Sequence, residues 1–563
     1  MYIKILTTFT AIAIFLCTIS GGASAQDGAE IADFNKAKQI IAEVLEVGGS
    51  ELDLSHLKKL RSLPREIEKL TLLQDLSLDY TGISDISSLS NLSNLKQLSL
   101  GDRQYDDLSP LSSLTNLKSL TLGLGRDNDL SPLSGLTGLQ SLQLSGRIKD
   151  LSPLSGLSNL KRLVLSVGWG SDISSLSGLT YLQDLELRGG VGDLSPLSGL
   201  SNLKRLVLRV GRDSDLLPLS GLTELEDLEI RGEVTNILSL SGLKNLKRLT
   251  LYNVRAIDYS PLLKLTELEY LSIQDTKVRN LSVLSNLSNL KWLKLEVGDS
   301  IDILSLPRLP RLQGLLLIGG GNDISSLSGL KNLRRLILMY GPPKDLSPLF
   351  ELTKLQHLEI SQIIVSDLSQ LSYLSNLKLL IIGRGLYSDL SPLSKLTELQ
   401  WLSLTGVNIS DISPLSGLSK LEKLTLQDIS ARDITPLISL SSLKELEISA
   451  PFSDIRPLLN LSRLERLDIS DTDVSDLSPL SGLTGLQKLN LRRRAGLDRL
   501  PLLGPNNLQW LDIRGTKISD LSPLFGMDEL QELNLDYLQI SDPAQIDVLK
   551  SQGVKVNQFE GEN

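Results

Sequence analysis

Aliphatic residues, above all leucine, recur along this chain with a period of 21 or 22 residues. One copy reads Leu399-x-x-Leu402-x-Leu404, in which the last apolar positions alternate with other residues. Alternation with a period of two is the pattern of a β-strand that buries one face. The same register returns about 23 times, from Leu52 near the start to Leu533 near the end. An internal period of this length predicts a stack of about 23 similar coils rather than several globular domains.

The return path of each coil is too short for a full helix. A coil of 21 or 22 residues must contain a strand, two bends and the path to the next strand. Short 3₁₀ turns or loops are therefore predicted on the return side. Strands of successive coils would lie side by side in a parallel sheet, with leucines pointing inward and the intervening residues pointing outward.

A second motif, Asp-Leu/Ile-Ser-Pro-Leu, follows many of the strands. Its aspartates include Asp107, Asp129, Asp150, Asp193, Asp345, Asp389, Asp476 and Asp520. A carboxylate there can accept hydrogen bonds from the N–H groups that open a turn, and proline fits a first turn because it lacks an N–H. The motif predicts the start of the return turn. A calcium ladder is a weaker alternative, because Ca²⁺ needs several converging oxygens and each coil offers one aspartate.

The first 25 residues have the pattern of a secretory signal peptide. Lys4 provides the positive start, an apolar run extends from Ile5 to Leu16, and Ala23-Ser24-Ala25 offers small residues for cleavage. We therefore expect a secreted or periplasmic protein that begins near Gln26. An uncleaved membrane anchor is the alternative, although the apolar run is short for a span of roughly 20 residues.

Both ends of the repeat array are predicted to carry caps, because an open coil would expose its leucines. We assign residues 26–50 to an N-terminal helical cap, 51–541 to the repeats and 542–563 to a C-terminal cap. The N-terminal helix is predicted over Ala29–Glu46. Its candidate apolar face consists of Ile31, Phe34, Ile40, Ile41, Val44 and Leu45. At the other end we predict a short helix over Pro543–Lys550 and a last strand around Gly553–Val556.

Composition narrows the classes of function. The formal net charge of −9 gives the chain no electrostatic attraction to nucleic acid. The single cysteine, Cys17, lies in the signal segment, so the mature chain has no disulfide, thiolate metal site or cysteine nucleophile. The two histidines, His56 and His357, are about fourteen coils apart and cannot share a metal site or a catalytic triad. We predict a non-enzymatic protein with no cofactor, no metal and no membrane span in the mature chain.

The strand motif and the Asp-Leu/Ile-Ser-Pro-Leu motif together resemble the bacterial internalin-type leucine-rich repeats, over about residues 51–541. The resemblance implies an α/β repeat fold, a leucine-rich-repeat solenoid with a parallel concave β-sheet and a convex side of short 3₁₀ turns or loops. It also implies protein binding on the concave sheet, since some members of the family are adhesins that engage host receptors.

This chain departs from the internalin pattern in two respects. Internalin-type repeats usually place asparagine three residues after the last strand leucine, whereas this chain has residues such as Thr81, Gly125 and Thr516 there. It also has no immunoglobulin-like segment and no wall-sorting tail after the repeats. The resemblance therefore implies the fold and protein binding, but not host invasion.

Outward positions of the central coils are unusually apolar, and we predict that they bind the partner. These positions are Tyr270, Trp292, Leu316, Ile318, Ile337, Met339, His357, Leu379, Ile381 and Trp401. A continuous exposed apolar surface usually marks an interaction site, and aromatic residues often anchor interfaces. The alternative interpretation is that isoleucine and tryptophan are present because they favour strands.

Two other outward zones have a structural interpretation. Residues 152–193 and 195–236 are near-copies, and their coils alternate Arg162, Asp184, Arg205, Asp227 and Arg248 in one column. Such an alternation predicts cross-strand ion pairs. A basic cluster of Arg492, Arg493, Arg494, Arg499 and Arg514 occupies an irregular coil. A solvated charge run is favoured there over a site for an acidic partner.

These observations predict an exported, non-enzymatic protein that binds a protein partner, adhesin-like or receptor-like, through its concave sheet. Two alternatives stay open. One is a carbohydrate or cell-wall binder, because Tyr270, Trp292 and Trp401 could stack on sugars. The other is a structural surface protein that self-associates through the same apolar patch.

Overall fold

The computed structural model describes residues 25–101, 104–105, 107–125, 128–148, 150–212, 214–276, 278, 280–297, 303–319, 323–339, 345–361, 365–383, 385–405, 409–493, 497–500, 507–536, 540 and 542–559. The chain divides into two compact units, Met1–Gly168 and Trp169–Asn563, called unit 1 and unit 2 below. Residues 1–24 of the proposed signal peptide lie outside the described residues.

Each unit contains parallel strands that follow one another in chain order. Unit 1 has β1 (Glu51–Asp53), β2 (Asp75–Ser77), β3 (Gln97–Ser99), β4 (Ser119–Gly123), β5 (Ser141–Ile148) and β6 (Arg162–Val167). Unit 2 has β7 (Asp184–Val191), β8 (Arg205–Val210), β9 (Asp227–Arg231), β10 (Arg248–Tyr252), β11 (Tyr270–Thr276), β12 (Trp292–Val297), β13 (Gly314–Ile318), β14 (Arg335–Met339), β15 (His357–Ser361), β16 (Leu379–Ile382), β17 (Trp401–Thr405), β18 (Lys423–Gln427), β19 (Glu445–Ile448), β20 (Arg466–Asp468), β21 (Lys488–Asn490), β22 (Trp510–Asp512), β23 (Glu532–Asp536) and β24 (Lys555–Phe559).

Each of the strands β1–β23 contains one of the predicted central leucines, so the repeat count is confirmed. Within each unit these leucines pair with one another across neighbouring strands, as Leu402 does with Leu424. Leu402 and Leu404 are completely buried, whereas Trp401 and Thr405 on the same strand are half-buried. The inward and outward assignment made from the alternation of residues is therefore correct.

Short 3₁₀ helices of three to five residues form the return side, as in Ser131–Leu133 and Ser413–Gly417. They start where the Asp-Leu/Ile-Ser-Pro-Leu motif predicts. In one coil the N–H of Ser131 donates to Oδ1 of Asp129 over 2.8 Å, and proline takes one of the first two helical positions. The hydrogen bonds from the Ser131 side chain and backbone lower the pKa of Asp129 below its ordinary value.

A ladder of asparagines, which the sequence did not reveal, links successive coils within each unit. These asparagines lie three residues before a strand, and each side-chain amide donates to a backbone carbonyl of the preceding coil over 2.7 to 3.0 Å. The pairs are Asn94–Thr71, Asn116–Ser93, Asn159–Thr137, Asn202–Thr180, Asn245–Thr223, Asn289–Thr266, Asn332–Pro310 and Asn376–Thr353. The ladder satisfies carbonyl groups where the chain enters each strand.

The position that usually holds asparagine in internalin-type repeats is occupied differently here. The hydroxyl groups of Thr81, Thr472 and Thr516 donate to the carbonyl three residues earlier, over 2.6 to 2.7 Å. This hydrogen bond stays within the coil, whereas the asparagine ladder joins neighbouring coils.

Helix α1 (Ala25–Val47) packs on β1 and on the 3₁₀ helix Arg65–Lys69, so the predicted N-terminal helix is confirmed. Its predicted apolar face is wrong in part, because Ile31 is 62% exposed and Leu45 is 41% exposed. The fully buried residues are Ala37 and Ile41. A helix that packs on one coil end buries a narrow stripe, which leaves apolar residues outside that stripe in contact with solvent.

The C-terminal end of unit 2 agrees with the predicted elements. Helix α2 (Ala544–Ser551) buries Ile546 and Leu549. Strand β24 follows it and pairs parallel with β23, where Val556 stands opposite Leu533.

Candidate functional site

The predicted partner-binding residues lie together on one face of seven adjacent strands, β11 to β17 of unit 2. We call the side of the sheet that alternates with the buried leucines the open face. We call the ten predicted residues on it the central patch. Its members are Tyr270, Trp292, Leu316, Ile318, Ile337, Met339, His357, Leu379, Ile381 and Trp401. All except Ile337 are half-buried, whereas Ile337 is 4% exposed and offers little surface to a partner.

Strand register divides the central patch into three parts. Tyr270 pairs with Trp292 on β11 and β12. Four aliphatic side chains follow on β13 and β14, where Leu316 pairs with Ile337 and Ile318 pairs with Met339. A third part contains His357, Leu379, Ile381 and Trp401 on β15 to β17, with Leu379 opposite both His357 and Trp401.

Polar residues that the sequence analysis left out interrupt the central patch. Lys294, Arg335 and Glu359 occupy outward positions in register with patch residues. Glu359 stands opposite both Ile337 and Ile381, so β15 places a carboxylate between two aliphatic parts. The site is therefore an apolar surface with charged groups inside it, which suits a protein partner that presents both kinds of group.

The position of Trp292 depends on a glycine in the next coil. A Cβ atom on Gly314 would lie 1.9 Å from Cε3 of the Trp292 ring, so the indole occupies the space above the glycine backbone. The Arg335 guanidinium lies 5.7 Å from the centroid of the same ring. On the open face, the indole of Trp292 therefore covers Gly314 on β13 and reaches toward Arg335 on β14.

Cations also lie over the other two aromatic rings of the central patch. The Arg248 guanidinium is 4.2 Å from the centroid of Tyr270, and the Lys423 ammonium is 4.6 Å from that of Trp401. Cation–π contacts of this kind stabilise a partly exposed pair by about 0.5–1 kcal/mol. They hold the rings in place and cover part of the surface that a ligand would stack on.

His357 is neutral at pH 7. Burial on the sheet, together with the positive charge of Arg335, lowers the pKa of His357 to about 4. Its Nε2 atom lies 4.0 Å from Glu359 Oε2, beyond hydrogen-bond distance. Both Nε2 of His357 and Nε1 of Trp401 are buried without a hydrogen-bond partner in the described structure. A partner could supply those hydrogen bonds.

The alternating charges of β7 to β10 pair with one another, as predicted. Arg205 Nη1 lies 2.9 Å from Asp184 Oδ1, and Asp227 Oδ2 lies 3.7 Å from Arg205 and 3.9 Å from Arg248. Burial raises the pKa of Asp227, because the two guanidinium groups are too far away to offset its loss of water contact. These charges are engaged within the sheet.

The basic cluster is partly engaged as well. Arg514 forms a two-pronged ion pair with the buried Asp512, with contacts of 2.6 to 3.0 Å, and lies 4.3 Å from the ring centroid of Phe559. The backbone N–H of Arg493 donates to the carbonyl of Arg514 over 2.8 Å. Arg494 lies outside the described residues.

A hollow on the open face of β18 to β22 was missed by the sequence analysis. It has a volume of about 320 Å³, and its lining includes Lys423, Glu445, Arg466, Lys488 and Trp510. Trp510 stands in the same outward column as Trp292 and Trp401, so following that column to the end of the repeats would have found it. The hollow extends the candidate interface from the central patch toward the C-terminal coils.

The described residues contain no group of three or more His, Cys, Asp or Glu side chains arranged to hold a metal ion. Within the same part of the chain, no helix combines the length and the apolar content that a bilayer crossing requires.

Several solved structures are similar to this chain. A TLR13–ssRNA13 complex structure is 21% identical over 86% of this chain and 92% of its own, with a TM-score of 0.54. An internalin from Listeria monocytogenes is 26% identical over 66% of this chain and 90% of its own, with a TM-score of 0.37. A leucine-rich-repeat protein from Leptospira interrogans is 18% identical, covering 81% and 99% of the two chains, with a TM-score of 0.43.

No protein-family model and no curated protein sequence matches the chain. At 21% identity the TLR13 match supports the fold alone. The strands, their register and the 3₁₀ return turns identify the fold as that of leucine-rich repeats.

Proposed function

We propose that this chain is an exported, non-enzymatic protein of internalin type that binds a partner protein through the central patch. One observation carries the proposal. Nine half-buried side chains, mostly apolar, lie on one face of seven adjacent strands, and each strand is fixed by the fully buried leucines beside them. Aromatic residues and methionine are enriched in protein interfaces, and the central patch contains Tyr270, Trp292, Trp401 and Met339.

Export is supported by the sequence pattern of residues 1–25, and protein binding by the resemblance of the repeats to internalins. Stacking of sugars on the central patch is less favoured, because Tyr270 and Trp401 are half-buried and cations lie within 4.6 Å of both ring centroids. Self-association would cover the same aliphatic side chains, so the test has to separate it from binding of a different protein.

The test is site-specific photo-crosslinking with the purified chain of residues 26–563, incubated with its own culture fluid and with candidate host-cell extracts. A photoreactive residue replaces Ile318 in the central patch, and in a matched control it replaces Leu238, which is 56% exposed on a return turn. We expect one discrete protein adduct from position 318 and none from position 238.

Trp292→Ala and Trp401→Ala should then weaken the binding of that partner at least about tenfold, as expected for aromatic interface anchors. Equal adducts from both positions would contradict the assignment of the site. An adduct between two copies of the chain, accompanied by dimer formation in light scattering, would favour the structural alternative. Saturable binding on a glycan array that Trp292→Ala abolishes would favour the carbohydrate alternative.

A further inference from the structure

Unit 2 has a second hollow, beside the open face, at the carboxyl ends of β8, β9 and β10. Its volume is about 490 Å³. The side chains that distinguish it are Trp169, Arg209, Arg212, Arg231, Glu233 and Tyr252. None of these residues belongs to the central patch.

Trp169 is held in place and yet remains open to solvent. Its ring lies against Gly190 on β7, where a Cβ atom would be only 1.8 Å from Cε3 of the indole. The Gly170 N–H donates to the Gly190 carbonyl over 2.7 Å and fixes the segment that carries the tryptophan. Trp169 is nevertheless 69% exposed, and Tyr252 adds a second ring that is 42% exposed. Two large rings fixed beside one hollow offer a flat apolar surface to a ligand.

The charges of the hollow are mixed, with an excess of cations. The Arg209 guanidinium lies 5.4 Å from the Trp169 ring centroid, and that of Arg231 lies 5.8 Å from Tyr252. Arg231 pairs with Glu229, and the Glu233 carboxylate lies 3.1 Å from Arg212 and 3.0 Å from Arg255. Among the described residues, Arg209 has no carboxylate within ion-pair distance, so its charge is available to an anion.

The internal duplication points to the same residues. Residues 152–193 and 195–236 are near-copies, with Ser166 equivalent to Arg209, Trp169 to Arg212 and Gly190 to Glu233. Their strand leucines are almost unchanged, as Leu163 and Leu206 illustrate, because both copies bury them in the core. Four lining residues, namely Trp169, Arg209, Arg212 and Glu233, thus stand where the copies differ. The coil accepts different residues at these positions, so it does not itself demand the side chains of the hollow.

We infer that this hollow binds an acidic sugar unit of a glycan. The apolar C–H face of a sugar ring matches the exposed indole of Trp169. A sugar carboxylate matches the guanidinium of Arg209, which is the donor suited to a planar anion. Sugar hydroxyl groups both donate and accept hydrogen bonds, so they can pair with Glu233 as well as with Arg212. An acidic peptide would use the arginines but would leave the exposed indole of Trp169 without a counterpart.

The test measures binding by isothermal titration calorimetry with the purified chain of residues 26–563. The probes are trimers of galacturonic, glucuronic and mannuronic acid, each compared with its methyl ester, together with a glutamate peptide of equal charge. We expect at least one acidic trimer to bind saturably, and its ester and the peptide to bind at least tenfold more weakly.

Two variants assign this binding to the hollow. Arg209→Ser restores the residue of the first copy, and Trp169→Ala removes an exposed ring; each should weaken the binding at least tenfold at an unchanged melting temperature. The matched controls are Arg463→Ser and Tyr181→Ala, which remove an exposed arginine and a 63% exposed ring elsewhere in unit 2. Both controls should bind as the parent chain does.

Three results with the sugar probes would overturn the inference. They are failure of all three acidic trimers to bind, equal binding of ester and acid, and binding that survives Arg209→Ser and Trp169→Ala. Tight binding of the glutamate peptide that depends on Arg209 would overturn it in favour of an acidic protein segment. Because Trp292 and Trp401 are unchanged in these variants, failure here leaves the proposed protein interface untouched.

Discussion

Adjacent residues of one strand differ sharply in burial in this protein. Leu402 is fully buried between neighbouring leucines, whereas Trp401 before it lies on the open face with a lysine over its ring. The difference arises because successive side chains of a strand point to opposite faces. In a thin coil one of these faces packs in the core and the other faces solvent. Whether a side chain points to the core or to the open face therefore depends on whether its position in the strand is odd or even.

Replacing these two neighbours tests the face assignment directly. Leu402→Ala should lower the free energy of unfolding of unit 2 by roughly 2–5 kcal/mol, because it leaves a cavity among packed leucines. Trp401→Ala should cost less, because the ring lies on the open face and is already partly exposed. Urea denaturation followed by circular dichroism measures both changes. A larger loss for Trp401→Ala than for Leu402→Ala would place the tryptophan in the core and remove it from the proposed interface.

A 3₁₀ turn lies on the return side of most coils, and an aspartate accepts hydrogen bonds at its start. The charge of this aspartate depends on pH. Hydrogen bonds from the Ser347 and Ser391 side chains and N–H groups lower the pKa of Asp345 and Asp389. In the turn that begins at Arg456, side-chain and backbone bonds lower the pKa of Asp454 to about 2. A carboxyl group with a lowered pKa in the folded state stabilises that state whenever it is ionised in both states.

We therefore expect the melting temperature to be steady above the unfolded-state value of about 3.9 and to fall as pH drops through the lowered pKa values. Differential scanning calorimetry from pH 6 to pH 2 checks this. The chain supplies its own control residue, because Asn236 and Asn280 accept the same turn N–H bond over 2.9 Å without a charge. Replacing Asp345 and Asp389 by asparagine should reduce the fall. An unchanged fall would assign the acid sensitivity to other groups.

At the scale of the whole molecule, the hydrogen bonds described within each unit mainly join coils that are neighbours in the sequence. Within unit 2 each strand from β8 to β23 bonds to the strands before and after it, and the asparagine ladder joins coils that are neighbours in sequence. Stability in such an array is close to a sum over coils and their interfaces. Damage to one coil should therefore spread little further than its neighbours.

Hydrogen exchange can measure how far a defect extends. Leu249→Ala in β10 and Leu467→Ala in β20 each remove a buried leucine of unit 2. We expect faster exchange in the altered coil and in the coils beside it, with little change in β15 and β16 for either variant. A uniform rise in exchange across unit 2 would instead mean that the unit opens as a single cooperative structure.

The repeat count, the burial of every central leucine and the position of the return turns could be determined from the sequence alone. These features depend on alternation within a strand and on backbone hydrogen bonds a few residues apart, so the relevant information is contiguous in the chain. The asparagine ladder escaped sequence analysis because its acceptors are carbonyl groups 22 or 23 residues earlier. Any residue type can provide such a carbonyl, so no side-chain pattern marks the acceptor.

The sequence by itself also determined which residues point outward, but only the tertiary structure decided how much of each one a partner can reach. Ile337 is covered by its neighbours, Trp292 rests over a glycine of the next coil, and Trp169 rests on Gly190 while most of its surface stays exposed. The physical reason is that stacking brings residues about 20 positions apart into direct contact. Exposure on the open face is therefore set by pairs of coils, and alternation within one coil carries no information about it.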